Sequence, residues 1–346
     1  MSTRIEIDLD AFRHNVRTLA AIAAPARTML AVKADGYGHG MVPIARAALE
    51  SGADSLAVLD VTAALALRDA GIEAQLFAWL HGADTDFRAA IDAGVDLGVS
   101  SLLELERILD AGSRRVAEVH LKIDTGLHRN GASPEDWPAL VSAALAAEDR
   151  VRIAGLWSHL ADASPEADEA ALAEFQAAVA VAAGLGVPTE GPDRPILHLA
   201  ASSAGIRMPA ARFDLVRFGI AAYGSSPFDD TSARELGMRA PMTVFATVIE
   251  SRDGMAVLDV GSADGIPPSI SAAQVLLAGG RVAVTAVAID TLEVAAAAAV
   301  GDEAIIFGPG DRGEPTAEEW AAWGGTIGDE ILARASTRIP RVYRGE

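Results

Sequence analysis

The sequence predicts an α/β protein: an N-terminal (β/α)8 barrel followed by a C-terminal domain that is mostly β. Three observations carry that expectation. At 346 residues the chain is long enough for about two domains. Eight short apolar runs alternate with amphipathic segments over roughly the first 225 residues. Beyond residue 236 the alternation gives way to β-branched runs divided by Gly, Asp and Pro.

In chain order, the apolar runs fall at 28–32, 55–59, 75–79, 95–99, 118–123, 152–157, 196–199 and 213–218. Helical patterns lie between them at 41–51, 62–70, 84–93 and 101–112, after an opening one at 11–22. Ser101 stands three residues before Glu104, the spacing of a capping box, and Pro165 opens a long helix over 166–184. Eight βα units of this size read as a TIM-like barrel; an open doubly wound sheet shares the alternation, and periodicity alone does not separate the two. Strands are expected again at 242–251, 255–260, 275–277, 281–289 and 303–307, with helices at 316–322 and 328–335. The expected division is a barrel over 1–236 and a β-rich domain over 237–346, the first strand, at 5–9, being able to join either.

Composition narrows the function. With 28 basic and 48 acidic residues the net charge is −20, which argues against nucleic acid and anionic membranes as partners and fits a cytoplasmic protein. The absence of cysteine excludes disulfides and thiolate metal sites, and no metal is expected. The start of the chain is charged from its fourth residue, unlike a signal peptide, and no apolar run approaches the ~20 residues of a membrane span.

The 28 basic residues include only two lysines, Lys33 and Lys122. Arginine stays protonated and is a poor nucleophile, whereas lysine can lose its proton and form an imine. Lys33 ends an apolar strand and opens Ala-Val-Lys-Ala-Asp-Gly-Tyr-Gly-His-Gly at 31–40. A lysine at the C-terminal end of a barrel strand points into the mouth where such folds place their chemistry, and the glycines after it permit tight turns and close approach of a ligand.

This segment resembles the pyridoxal 5'-phosphate (PLP) lysine motif of alanine racemases. The resemblance runs on through Ile5–Leu9 with Asn15, Leu121–Gly131, Ser158–Ala161, His198–Ser202, Val216–Gly224, Val260–Gly265 and the ending from Glu330 to Tyr343. It implies a PLP-dependent isomerase that interconverts L- and D-amino acids, alanine by default, as a homodimer with shared active sites. Lys33 would carry the cofactor as an imine. Tyr37, Ser202 and the amides of Gly219 and Ile220 would hold the phosphate, His159 would lie near the pyridine ring, and Arg217 would face the ring nitrogen. Arg129 and Asp290 would meet the substrate carboxylate. Lys122 matches a position that some members carbamylate to support the arginine. Taken singly, these residues have plainer readings: His159 and His198 as core histidines, Arg129 and Arg217 as ion-pair members, Ser202 as a helix cap.

The pattern breaks mostly in the C-terminal half. Inverting a carbon centre calls for acid/base groups on both of its faces, and the family's second group is a tyrosine in Val-Gly-Tyr-Ala-Asp-Gly. Here that position is Ser262, a far weaker acid. A second tyrosine, expected to touch the phosphate, reads Asp329; the methionine before Asp290 reads Ile289, the asparagine beside Ser202 reads Ala201, and the proline after Arg217 reads Phe218. Three functions fit this pattern: a racemase-like enzyme with another source for the second proton, a PLP enzyme of altered reaction such as retro-aldol cleavage or transamination, and a non-catalytic PLP-binding protein.

Overall fold

The computed structural model describes residues 3–345. Strand β1 (Arg4–Asp8) pairs antiparallel with the long strand Met242–Arg252 and parallel with the C-terminal strand Arg341–Arg344. The alternation within β1 explains the choice. Ile5 and Ile7 are fully buried, while Glu6 between them accepts from Arg4 and pairs with Arg344 at 2.6 Å. One apolar face and one polar face suit an antiparallel sheet; a strand inside a parallel barrel is apolar on both.

The parallel sheet begins one strand later. It comprises β2 (Arg27–Ala31), β3 (Ser55–Val58), β4 (Gln75–Ala78), β5 (Val95–Val99), β6 (Ala117–Lys122), β7 (Val151–Trp157), β8 (Ile196–His198) and β9 (Leu215–Phe218). All four residues of β3 and all five of β5 are buried, the signature of strands covered on both faces. Each strand pairs with the next up to β8, and β9 pairs with β2. The ring is completed between β8 and β9 by backbone bonds from Asp214 to Leu197 and from Arg217 to Ala200, 3.1 and 3.0 Å. Met29, Ala57, Phe77, Trp157 and Leu215 fill its interior. Thus the eight runs read from the sequence are the eight barrel strands, within a residue or two at each end.

Helix starts follow local chemistry. Asp60, Asp86, Ser101 and Ser164 each accept from the amide three residues on. Glu104 reaches back one residue further than a capping box requires, to the amide of Ser100 at 2.6 Å. None of the helices among the described residues is long and apolar enough to cross a membrane.

The antiparallel sheet contains β10 (Met242–Arg252), β11 (Met255–Leu258), β12 (Gln274–Leu277), β13 (Gly280–Val287), β14 (Leu292–Val294), β15 (Glu303–Phe307) and β16 (Arg341–Arg344), with β1 between β10 and β16. The β10–β11 hairpin turns on Asp253 and Gly254, both at positive φ, as a two-residue turn requires. Two of its strands, β14 (Leu-Glu-Val) and β16 (Arg-Val-Tyr-Arg), are not among those the sequence predicts; in each, charged residues break up the apolar run.

By compactness the chain forms two units of interleaved segments. Leu19–Lys33 and Gly52–Gly219 make the barrel unit; the chain up to Thr18, Ala34–Ser51 and the chain from Ile220 onward make the β-rich unit.

Gly155 on β7 lies opposite His120 on β6, and a Cβ there would enter the imidazole ring. Gly155→Ala is expected to lower stability by about 1–3 kcal/mol, the usual cost of overpacking. Gly184→Ala, at a helix end with open space around it, should instead be neutral or stabilising by up to about 1 kcal/mol. Urea denaturation of both variants checks the contrast.

Candidate active site

Lys33 follows β2 directly, at the C-terminal end of the first barrel strand, where the amide of Val32 holds the strand end to Ala57 at 2.8 Å. Its side chain is half-buried, and its charge is one of those that hold His159 in the neutral form.

After Lys33 the backbone turns left-handed. Ala34, Asp35, Gly36 and Tyr37 have φ of 51°, 54°, 60° and 48°, a conformation that costs L-residues about 1–2 kcal/mol each. Neighbouring contacts over-determine it. Gly38 donates to Ala34 at 2.9 Å, and Asp35 Oδ1 accepts from Met41 at 2.7 Å. His39 Nδ1 bonds the carbonyls of Gly36 and Tyr37 at 3.1 and 2.9 Å; burial lowers its pKa to about 4, so the ring is neutral. The Tyr37 ring packs 4.5 Å from Tyr223, and burial, with the charge of Asp329, raises its pKa, keeping the phenol a donor.

In the barrel unit the fixed point is Arg217. Its guanidinium donates from Nη1 to His198 Nδ1 and the His198 carbonyl, both at 3.0 Å. From Nη2 it donates to the carbonyls of Ser158 and Leu199 at 2.8 and 3.0 Å, and to His159 Nδ1 at 3.1 Å. A guanidinium only donates, so both Nδ1 atoms must accept, which puts the proton of each histidine on Nε2. His198 Nε2 therefore donates to His120 Nδ1 at 2.8 Å, and His120 Nε2 to Asp96 Oδ2 at 3.2 Å; Gln75 donates to that same oxygen. Burial lowers the pKa of both His159 and His198 well below the usual histidine range, with the Arg217 charge adding to it. Burial and Arg129 lower that of Arg217 to about 9, which leaves it charged at neutral pH.

Asp96, Gln75 and His120 did not emerge from the sequence. A signal for one of them was there: His120 stands two residues before Lys122 on one strand, so both point to the same face.

Lys122 is buried, bonds Asn130 and lies 4.6 Å above the Trp157 ring, which Arg217 also approaches at 5.1 Å. Burial first, then the charges of Arg217 and Arg129, lower its pKa to about 7. Arg129 is exposed in the loop after β6, close enough to act electrostatically on Lys122, His159 and Arg217. Ser202 is buried at the start of the helix Ser202–Arg207, and its Oγ accepts from the amide of Gly219 at 3.1 Å. That bond leaves the hydroxyl proton of Ser202 available.

Ile220 opens the 3-10 turn Ile220–Tyr223 of the β-rich unit. In that unit Ser262 opens another, Ser262–Asp264, and is half-buried with its amide on the Ala288 carbonyl at 2.9 Å. Asp264 is committed to structure: it accepts from Gly261 at 3.0 Å and faces Arg338 at 3.8 Å. Asp290 is exposed and pairs with Arg338 at 3.0 Å, beside the exposed Ile289.

Comparison with known proteins decides the family. The alanine racemase N-terminal domain model matches residues 7–227, and the C-terminal domain model matches 245–343. The chain belongs to the alanine racemase family. It is 40% identical to an alanine racemase of Thermobifida fusca, over 98% of this chain and 97% of that one. It is 42% identical to one of Frankia casuarinae, over 97% and 95%. Among solved structures, the alanine racemases of Streptomyces coelicolor and Streptomyces lavendulae superpose with TM-scores of 0.95 and 0.94. Both are 38% identical to this chain, covering all of it and 98% of their own chains. The barrel with its antiparallel β unit is therefore the fold of this family of isomerases.

The buried lysine gives a pH test. Unfolded, Lys122 titrates near 10.5, and folded near 7. Between those values the unfolded chain binds the extra proton, so this group makes stability rise with pH across that window; at and below pH 7 the folded protein carries the penalty in full. Lys122→Met should thus gain most over wild type near pH 7 and least near pH 10, read from urea midpoints. A difference constant with pH would contradict the assignment.

Proposed function

We propose that this member of the family is a PLP-dependent amino-acid isomerase, with alanine as the default substrate and Lys33 as its one strong protein base. The observation that carries the reading is the binding of Arg217. Four of its N–H groups are spent on carbonyls and ring nitrogens, and Nε–H donates to no atom among the described residues. On a residue only 7% exposed, a donor left without an acceptor fits a ligand that brings one, such as the unprotonated nitrogen of a pyridine ring.

Bound PLP would supply an electron sink for the carbanion formed at the substrate Cα. The chain's own residues would do the rest. Lys33 would hold the cofactor and exchange the α-proton on its own face. Arg217, still charged at neutral pH, would donate a hydrogen bond to the ring nitrogen and withhold its proton. His159 would present Nε2–H, its tautomer set by Arg217. Ser202 would turn its free hydroxyl proton to the phosphate, alongside the amides of Gly219 and Ile220 and the phenol of Tyr37. Arg129 would attract the substrate carboxylate, with Asp290 near it. Lys122, as a neutral amine, is the form that takes up CO2; a carbamate there would place a negative charge beside Arg129 and Arg217. The expected assembly is a cytoplasmic homodimer in which the Ser262 corner of one subunit meets the barrel mouth of its partner.

Ser262 sets the rate of inversion. A serine is too weak an acid to serve the second face as a tyrosine would, and a missing acid/base group costs on the order of 10²–10⁴ in rate. Exchange of the α-proton with retention should therefore outrun racemisation. The same vacancy of side chain favours a second reading, retro-aldol cleavage of β-hydroxy amino acids, because Ser262 is shorter than tyrosine by a ring.

These readings are separated by following Cα deuterium exchange, racemisation and aldehyde release with both enantiomers of alanine and serine in D2O. Wild type should exchange faster than it inverts. Ser262→Tyr should raise racemisation by a factor within the range above, and Lys33→Ala should lose both the borohydride-fixed adduct and exchange. A wild type that racemises as fast as it exchanges would defeat the single-base assignment.

A further inference from the structure

The β-rich unit carries an acid where the proposed phosphate pole needs donors. Asp329 lies in the first turn of the short helix Gly328–Ala333. Two close contacts fix that helix. At its start Gly328 sits against Ser225 Oγ, with no room for a Cβ, and near its end the Leu332 carbonyl sits against Gly38 in the same way. It is thereby held between the segment that begins at Ile220 and the left-handed turn that contains Tyr37. Arg341, the cation packed on this turn, spends its guanidinium on the carbonyls of Gly38, Ala335, Ser336 and Ile339.

We propose that Asp329 is a specificity residue that penalises a dianionic phosphate at the Tyr37 pole, narrowing the preference for the phosphorylated over the unphosphorylated cofactor aldehyde. The inference rests on the reading in which Tyr37 and Ile220 face the phosphate. Its physical basis is charge and donor count. A phenol has one proton to donate, and a carboxylate beside it competes with phosphate oxygens for that donor while repelling their charge. The influence of Asp329 on the Tyr37 phenol places the two within electrostatic range. Tyr37 is 5% exposed, so water screens little of the repulsion.

The test uses the full-length protein stripped of cofactor, titrated in parallel with PLP and with pyridoxal. The readouts are visible absorption and the amount of borohydride-fixed adduct at Lys33. Asp329→Asn removes the charge at constant shape, and Asp329→Tyr adds a second donor. PLP should tighten by about ten- to a hundred-fold in both variants, while pyridoxal changes by less than about threefold. The proposal is overturned if PLP tightens no more than pyridoxal does. If no adduct forms at Lys33 with either aldehyde in any of the three proteins, the cofactor reading itself falls, and this inference with it.

Discussion

A buried group that can only donate hydrogen bonds orders everything it touches. Arg217 sits inside the barrel with no carboxylate among its partners, and its N–H groups dictate the tautomers of His198 and His159. The constraint then passes outward through His120 to Asp96, each ring accepting on one nitrogen and donating from the other. The only anion in this chain stands at its far end. The guanidinium therefore stays unneutralised where a ligand would meet it, and the buried polar groups behind it remain satisfied.

That arrangement costs proton affinity. Burial first, and then the like charges of Arg217 and Arg129, lower the proton affinity of Lys122. The Trp157 ring offsets part of the repulsion by presenting its face to two of the cations. A site with so much positive charge is suited to holding anionic ligands and to keeping histidines neutral. It is poorly suited to using His159 as a base, since the Nδ1 lone pair is already occupied.

Strain and charge divide differently in the β-rich unit. Three L-residues are held left-handed at Ala34, Asp35 and Tyr37, and the structure tolerates this because the contacts of His39, Met41 and Gly38 leave the turn no alternative. The corner around Ser262 is stabilised by Asp264, whose Oδ2 accepts from the amide of Gly261.

The eight barrel strands and the helix starts at Ser101 and Pro165 could be read from the chain alone, because alternation and caps are local signals spanning a few residues. So could Lys33 at its strand end and the replacement of a motif tyrosine by Ser262. What only the tertiary structure decided depends on partners distant in sequence. The sheet that β1 joins, the short strands β14 and β16, and the commitment of Asp264 to Gly261 are decided by pairing. The route from Arg217 to Asp96, the lowered pKa of Lys122 and the electrostatic influence of Asp329 on Tyr37 are decided by burial and proximity. Both act through space, where a residue's chemistry is set by what surrounds it, and a linear order of side chains does not contain those surroundings.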